Sequence, residues 1–406
     1  MSNQNGDIQK ELKTKIEGFN LIIYLEGNIT KENASYLEKS ILETATKTPQ
    51  LILKFDLKEL KNISSPGIRM FMNIKNSLKN QPNIKLENVN QDIYDIFIST
   101  GLTEIFDIEK VYTEMNIDNL ELVGKGANSK ILRLNEDKVI KIFSKNSRLD
   151  IMIQNEKAMT KQAYLCGIST PLTYDIVKVG DCYGLIYEYL DAKDLIKIME
   201  EDKEHLVDYV KQFTQLMKHM HSIELSNNKL IDLRAMALRL FPSLKGKVLN
   251  DEDYEKVKKI YENIPYKKTF VHGDCHPGNV MVKNGKMYFI DLAAAGVGHH
   301  INDLMGMFNI YRINIHNPDK MKNSPLLKNF TIDELNLIWD TFLKEYLGTE
   351  DEKILKKAEE QIAGFTYTRI LFAEIALPGY IPKPILEMYT KKAVAFYDKG
   401  LEPLVF

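Results

Sequence analysis

The chain reads as a small α/β domain followed by a larger two-lobed unit, in which a β-rich lobe leads into a helix-rich one. Three observations predict this. Short apolar strands alternate with amphipathic helix patterns up to about Tyr112. Strand patterns dominate again from Leu120 to Tyr189, and from Asp194 onward the pattern is mostly helical. Two polar turns, His272-Gly273-Asp274 and the turn at Asp291, interrupt that helical part beside short apolar strands. A chain of 406 residues also exceeds what one hydrophobic core usually serves.

In order, residues 1–8 read as a disordered lead-in. Asn20 to Gly27 is a buried strand stopping at a glycine, and Leu37, Ile41, Leu42 and Ala45 recur at helical spacing. Leu51 to Asp56 is a second strand. Ser64-Ser65-Pro66-Gly67 opens a helix with Ile68, Phe71, Met72, Ile74 and Leu78 on its inner face and Pro66 at its first position. Asn83 to Val89 is a third strand, and Ile93, Phe97 and Ile98 form another helical face. The first domain is placed at residues 8–114. Residues 113–118 lack a Gly/Pro/Ser-rich tether, so the junction is short and stiff.

The second domain is placed at residues 118–406, with one lobe over 118–190 and the other over 191–406. Strand patterns cover Leu120 to Arg133, Lys138 to Phe143, Tyr174 to Val179 and Tyr183 to Tyr189, with a helix near Ile151 to Leu165. Short strand signals return at Thr269 to Val271, Val280 to Val282 and Met287 to Ile290. There is no internal repeat and no low-complexity tract.

Composition narrows the function classes. The chain is 44% hydrophobic and 27% charged, with a formal net charge of −2. That balance argues against nucleic acid as a partner and against a polybasic membrane footing. Met1 to Lys10 lacks the apolar stretch of a signal peptide, and no apolar run approaches the roughly 20 residues of a membrane span. Cys166, Cys182 and Cys275 are widely separated, which suits a reducing, cytoplasmic setting and gives no disulfide framework.

The chemistry concentrates in the second domain. Asp274, Asn279 and Asp291 lie on two turns separated by an apolar strand. A carboxylate to receive a hydroxyl proton and a pair of hard oxygen ligands for Mg²⁺ are what phosphoryl transfer asks of a protein. Each of the three could singly be a turn or cap residue; all three together, in this order, are improbable as caps. Gly124-Lys125-Gly126-Ala127-Asn128-Ser129 sits between apolar flanks. It is either a plain glycine hairpin or a turn whose backbone N–H groups approach phosphate, with Gly124, Gly126 and Ser129 as the contacts. Lys141 interrupts the apolar run Val139 to Phe143. It is either an edge-strand lysine facing water or a cleft lysine facing nucleotide phosphates, with Glu156 on the next helix as its partner. The spacing of His272 and His276 to His299-His300 matches no zinc pattern, so these histidines are read as structural.

From Leu120 on, the chain resembles the aminoglycoside phosphotransferase and choline kinase branch of the protein-kinase-like superfamily. His272-Gly273-Asp274-x-His276-x-Gly278-Asn279 looks like its catalytic signature, and Ile290-Asp291 like its second metal motif, followed here by Leu292-Ala293. Asp303 matches a structural aspartate, and Gly167 to Pro171 the turn after the first helix. The resemblance implies ATP and Mg²⁺ as cofactors, Asp274 as catalytic residue, Asn279 and Asp291 on the metal, and Lys141 with Glu156 on the phosphates. The acceptor it implies is a hydroxyl-bearing substrate. About a dozen residues separate Asp291 from Asp303, too few for a regulated activation segment. Phe365, Tyr367, Arg369, Phe372 and Glu374 either line an acceptor pocket or, for the aromatics, belong to the core.

The first domain resembles a STAS domain, the fold of anti-sigma-factor antagonists, through Asp56-Leu57, Ile63 to Ile68 and Ile98-x-x-Gly101-Leu102-x-x-Ile105-Phe106. The resemblance implies protein partners and makes Ser65 a phosphorylation position; a plain helix cap is the other reading of that serine. Ser64 and Pro66 depart from the antagonist pattern. Three functions are therefore compared: a small-molecule phosphotransferase, a protein serine kinase acting on a STAS serine such as Ser65, and a nucleotide-sensing adaptor.

Overall fold

Alternation of apolar and polar residues builds the first sheet. Leu21 and Ile23 on one strand, and Leu53 and Phe55 on the next, turn inward, while Ile22 and Lys54 face the other way. The computed structural model describes residues 11–78, 84–126, 129–143, 149–225, 230–379 and 381–406. The chain divides into two units at Asn116/Ile117. The lead-in over residues 1–8, Asn83 at the start of the third strand, and Ala127 and Asn128 of the glycine turn lie outside the described residues.

The first unit contains β1 (Lys13–Glu17), β2 (Asn20–Tyr24), β3 (Gly27–Ile29), α1 (Lys31–Lys47), β4 (Ile52–Asp56), β5 (Leu60–Ile63), α2 (Ser65–Ser77), β6 (Lys85–Val89), α3 (Gln91–Thr100) and β7 (Asp107–Lys110). Its sheet runs β1-β2-β4-β6-β7. The β1-β2 pair is antiparallel and the remaining neighbours are parallel. The strand β1 escaped the sequence reading because Lys-Thr-Lys-Ile-Glu is exposed throughout and carries no apolar alternation. Phe71 of α2 anchors the core, meeting Phe55 and Phe97 edge-on at 5.2 and 5.8 Å. Ile98 is 40% exposed, so the inner face of α3 is Ile93 and Phe97 without it.

The start of α2 corrects one expectation. Ser64 is the cap: its backbone is extended and its hydroxyl accepts from Gly67 N–H. Ser65 is the first helical residue and Pro66 the second. Ser65 is therefore an exposed N-terminal helix residue and not the cap.

The second unit opens with β8 (Glu121–Lys125), β9 (Ser129–Arg133), β10 (Lys138–Phe143), α4 (Leu149–Leu165), β11 (Thr173–Val179) and β12 (Cys182–Glu188). The strand pattern over 120–133, with its glycine turn, is a hairpin of β8 with β9. These strands form an antiparallel sheet in the order β11-β12-β10-β9-β8. Lys141 thus lies on the central strand, which removes the edge-strand reading.

Then follow β13 (Lys193–Asp194), α5 (Leu195–Glu201), α6 (Leu206–His221), α7 (Leu233–Leu240), α8 (Asp251–Glu262), β14 (Thr269–Val271), β15 (Val280–Lys283), β16 (Lys286–Phe289), β17 (Gly296–Gly298), α9 (Ile301–Phe308), α10 (Pro318–Asn323), α11 (Ile332–Leu347), α12 (Glu352–Leu371), α13 (Ala373–Ala376) and α14 (Lys383–Asp398). Two small antiparallel sheets, β13-β15-β16 and β14-β17, are set among the helices. Phe365 is core, and Phe372 packs edge-on against Phe241 and Tyr261 at 4.9 and 5.4 Å. Those two aromatics are therefore not pocket lining.

The last residues fold back onto α12. Gln361 donates to Pro403 O at 2.9 Å and accepts from Val405 N–H at 3.1 Å. Phe406 lies beside His299 and His300, whose own rings are 4.1 Å apart. His299 Nδ1 accepts from Ile301 N–H, so that nitrogen carries no proton. Burial, with Lys267 and His221 nearby, pushes His299 down to about 3. Burial, with His299, His221 and Lys267 nearby, pushes His300 down to about 2. Both values lie below the ordinary 6.5, so the unfolded chain binds more protons. Their contribution to stability is present above pH 6.5 and is lost as pH falls toward 3. Urea unfolding is expected to show stability dropping between pH 7 and pH 5. His300→Gln should flatten that slope by up to about 1.4 kcal/mol per pH unit. An unchanged slope in the variant would remove His300 from the account.

Candidate active site

A left-handed turn puts Asp274 where it is. β14 delivers the chain to His272, and Gly273 then adopts φ +81°. A Cβ at Gly273 would sit 2.1 Å from Ala294 O, so glycine is required on both grounds. The turn is held from below by Asp303, which is fully buried on α9. Its two oxygens accept from His272 N–H at 2.9 Å and Gly273 N–H at 2.7 Å. His221 Nε2 lies 2.9 Å from the same carboxylate, and Tyr346 OH bonds the other nitrogen of that ring at 2.8 Å. Burial would raise the Asp303 carboxyl, but the His221 bond and the neighbouring histidines outweigh it and keep it ionised. Arg369 grips the turn from α12, donating to Gly273 O at 2.8 Å and Asn302 O at 2.6 Å. It is a scaffold residue, not pocket lining.

A hairpin sets the separation of the two magnesium candidates. Asn284 and Gly285 adopt φ +50° and +76°, the two-residue turn with both central residues left-handed. The resulting register pairs Val280 with Phe289. It carries Asn279 to one end, where its carbonyl accepts from Ile290 N–H at 3.0 Å. Asp291 follows immediately, in the left-handed region at φ +59°. Asp tolerates that region better than most residues, and such backbone strain clusters at functional sites. His272 Nε2 donates to Ile290 O at 3.0 Å, and burial keeps that ring neutral. The structural role expected for His272 is therefore observed.

Asp274 presents its side chain to solvent, at 60% exposure. Burial of the turn works to raise its carboxyl, but His276, 3.7 Å away, together with His272 and Arg369, holds it at about 2. Asn279 Nδ2 bonds Asp274 O at 2.9 Å and its Oδ2 at 3.3 Å. With Nδ2 committed there, Asn279 keeps Oδ1 as its acceptor oxygen, and Asp291 keeps Oδ2 beside the oxygen that meets Lys141. Among the described residues no cluster of three or more His, Cys, Asp or Glu could hold a metal. Two hard oxygen ligands, with the remainder of the shell from water and phosphate, fit Mg²⁺.

Lys141 joins the sheet to this turn. It is 8% exposed, and its Nζ lies 2.8 Å from Glu156 Oε1 on α4 and 3.0 Å from Asp291 Oδ1. Burial would lower the lysine, but the two carboxylates raise it, so it stays charged. The structure thus joins Lys141 to Glu156 and Asp291, and Asn279 to Asp274, with Ile290 N–H on Asn279 O linking the two sets. Gly124, Gly126 and Ser129 lie at the β8-β9 hairpin, where Gly126 N–H bonds Ser129 O at 2.9 Å. A Cβ on Gly126 would fall 2.8 Å from Ser129 Oγ.

Several residues of this framework were not singled out from the sequence. Tyr187 on β12 donates to Glu156, and Asn155 on α4 bonds Ala293 O at 2.9 Å and Ala295 O at 3.3 Å. A tyrosine and an asparagine adjoining two marked segments were the available signals. His221 and Tyr346 gave none, since only the folded chain brings them beneath Asp303.

The model of the phosphotransferase enzyme family matches residues 119–319, and that of the STAS domain matches residues 10–115. The anti-sigma-B factor antagonists of Listeria monocytogenes and Listeria innocua are each 30% identical to this chain over 98 residues. That match covers 24% of this chain and 85% of each of theirs. Among solved structures, an ADP-bound aminoglycoside phosphotransferase is 18% identical, with a TM-score of 0.46, over 76% of this chain and 99% of its own. A choline kinase from Cryptosporidium parvum is 13% identical, with a TM-score of 0.42, over 70% of this chain and 92% of its own.

Asp303→Asn is expected to destabilise the second unit by about 3 kcal/mol or more, because an amide N–H₂ would face backbone donors and His221. Urea unfolding measures it; a loss below about 1 kcal/mol would contradict the anchoring role assigned here.

Proposed function

The chain belongs to the STAS family through residues 10–115 and to the phosphotransferase enzyme family through residues 119–319, and from that premise we propose that it transfers a phosphoryl group from ATP to a hydroxyl of a small-molecule acceptor. The observation that carries this reading is the shared lysine: one buried cation touches both Glu156 and Asp291. Such a lysine beside a metal-type aspartate is suited to nucleotide phosphates.

In this reading Asp274, ionised across the physiological range, accepts the acceptor's hydroxyl hydrogen and orients the oxygen for attack. So weak a base suits a loose transition state, in which the proton leaves late. Lys141, oriented by Glu156, binds the phosphates, and the Gly124 to Ser129 hairpin covers them. Asn279 and Asp291 would hold Mg²⁺, which when bound neutralises charge on the phosphate oxygens. The proton passes to Asp274 and the phosphoryl group to the acceptor oxygen, leaving ADP.

A small acceptor is favoured by the stretch after Asp291. It runs through a short turn into β17, which pairs with β14, and then into α9, so little chain is left to form a docking platform. The STAS unit would serve regulation or docking to a protein. Cytoplasmic residence fits three free cysteines and the lack, among the described residues, of a helix long and apolar enough to cross a membrane.

One observation favours a second reading, in which a STAS serine is phosphorylated. Because Ser64 supplies the cap, the exposed Ser65 hydroxyl is not committed to the helix start. A phosphate there would meet free N–H groups and the positive end of the α2 dipole.

Asp274→Ala is expected to lower ATP turnover, assayed against a panel of alcohols, aminoglycosides and sugars, by about 10²- to 10⁴-fold while ADP binding changes little. Turnover equal to the parent protein would sink the assignment. For the second reading, incubation with ATP should add one phosphate by intact mass, absent in Ser65→Ala. A phosphate that survives the substitution would rule Ser65 out.

A further inference from the structure

Glu156 is a confined charge, at 1% exposure. Its Oε1 accepts from Lys141 Nζ and from the Tyr187 hydroxyl. Its Oε2 is buried with no partner among the described residues. The buried carboxylate therefore rests on two donors, and one of them, Lys141, is shared with Asp291. Tyr187 is the donor with no other acceptor among the described residues.

The sheet explains why Tyr187 reaches this place. The β10-β12 register pairs Val139 with Tyr187 and Lys141 with Leu185. Val139 and Lys141 lie on one face, so Tyr187 and Lys141 are diagonal neighbours on that face, turned toward the helix that carries Glu156. Asn155, next to Glu156, fastens α4 to Ala293 O and Ala295 O. With the helix fastened there, Glu156 cannot shift to find another donor without breaking those bonds.

We propose that Tyr187 is a positioning residue for phosphoryl transfer, its hydroxyl holding Glu156 so that Lys141 is left free to engage phosphate. This rests on the phosphotransferase reading above. A carboxylate buried with a single donor is under-satisfied and draws that donor in more tightly. Without the hydroxyl, Lys141 becomes the sole donor to Glu156, and its reach toward Asp291 and a nucleotide weakens. With the hydroxyl in place, the carboxylate is shared and the lysine keeps a second direction of bonding. No bond is made or broken covalently in this step; only hydrogen bonds are redistributed.

The test is a double-mutant cycle on the full chain, with direct titration of Mg²⁺ and ADP and with steady-state ATP kinetics. Tyr187→Phe keeps the buried ring and removes only the donor. It is expected to weaken ADP binding and raise the KM for ATP about tenfold, with kcat changed much less. In a Glu156→Gln background the same substitution should have no further effect, because the group it acts through has changed. Tyr187→Leu should cost more stability in thermal unfolding than Tyr187→Phe but weaken ADP binding by the same factor. ADP binding by Tyr187→Phe equal to the parent protein overturns the proposal. So does a tenfold loss that persists in the Glu156→Gln background, since the tyrosine then acts through packing. If the parent protein and Asp274→Ala alike bind no ADP, the phosphotransferase reading fails and this inference fails with it. ADP binding with a silent Tyr187→Phe overturns this inference alone.

Discussion

A lysine buried in a protein interior must be paired, and the pairing of Lys141 organises the second unit. Removing an ammonium from water costs several kcal/mol unless opposite charges come to meet it. Here one counter-charge comes from a helix and the other from the turn after β16, so a single cation ties the five-stranded sheet to α4 and to the candidate metal turn. Each of those parts would be adequate alone as ordinary structure. Their convergence on one ammonium makes them a candidate site.

Below that junction, charge is used to fix backbone. Asp303 makes no contact with Asp274 itself, yet it determines where the aspartate's own backbone goes, by holding the two preceding N–H groups. Arg369 complements it by holding the carbonyl of Gly273. An acid and a base on two different helices thus clamp opposite sides of one peptide turn. In the proposed reaction, preorganisation of this kind would let a weakly basic carboxylate act through position.

Much of this was legible in the sequence, for identifiable reasons. The alternation in β2 and β4 and the helical spacing in α1 and α2 are local patterns, so the α/β unit and its core were readable without contacts. Asp274, Asn279 and Asp291 were readable because they sit in short, distinctive strings. What escaped was of two kinds. β1 has no apolar alternation and is exposed throughout, and Ile98 looked like core because it is apolar, although one residue beyond Phe97 it falls outside the buried stripe of α3. Tyr187, Asn155 and His221, and the role of Arg369, depend on long sequence separations, and an isolated polar residue in a strand or helix gives no sign of what the fold will set opposite it. Ser64 and Ser65 are equivalent as letters; only the dihedral angles tell which one caps α2.

The hairpin between Asn279 and Asp291 works as a ruler. Strand pairing is quantised: the chain can shift by one residue or not at all, and a shift of one turns every side chain to the opposite face. The distance between the two candidate ligands is therefore counted in residues and cannot be tuned gradually. A residue added or lost within β15 or β16 is expected to break that spacing, whereas Lys283 and Lys286 stand at the outer end of the ribbon and are open to substitution. An engineer wishing to tag or split this unit would find the Asn284-Gly285 tip inviting because it is a tight surface turn. It is also the point where an added residue must be taken up by a longer loop, because taken up within the strands it would put the two candidate ligands out of step.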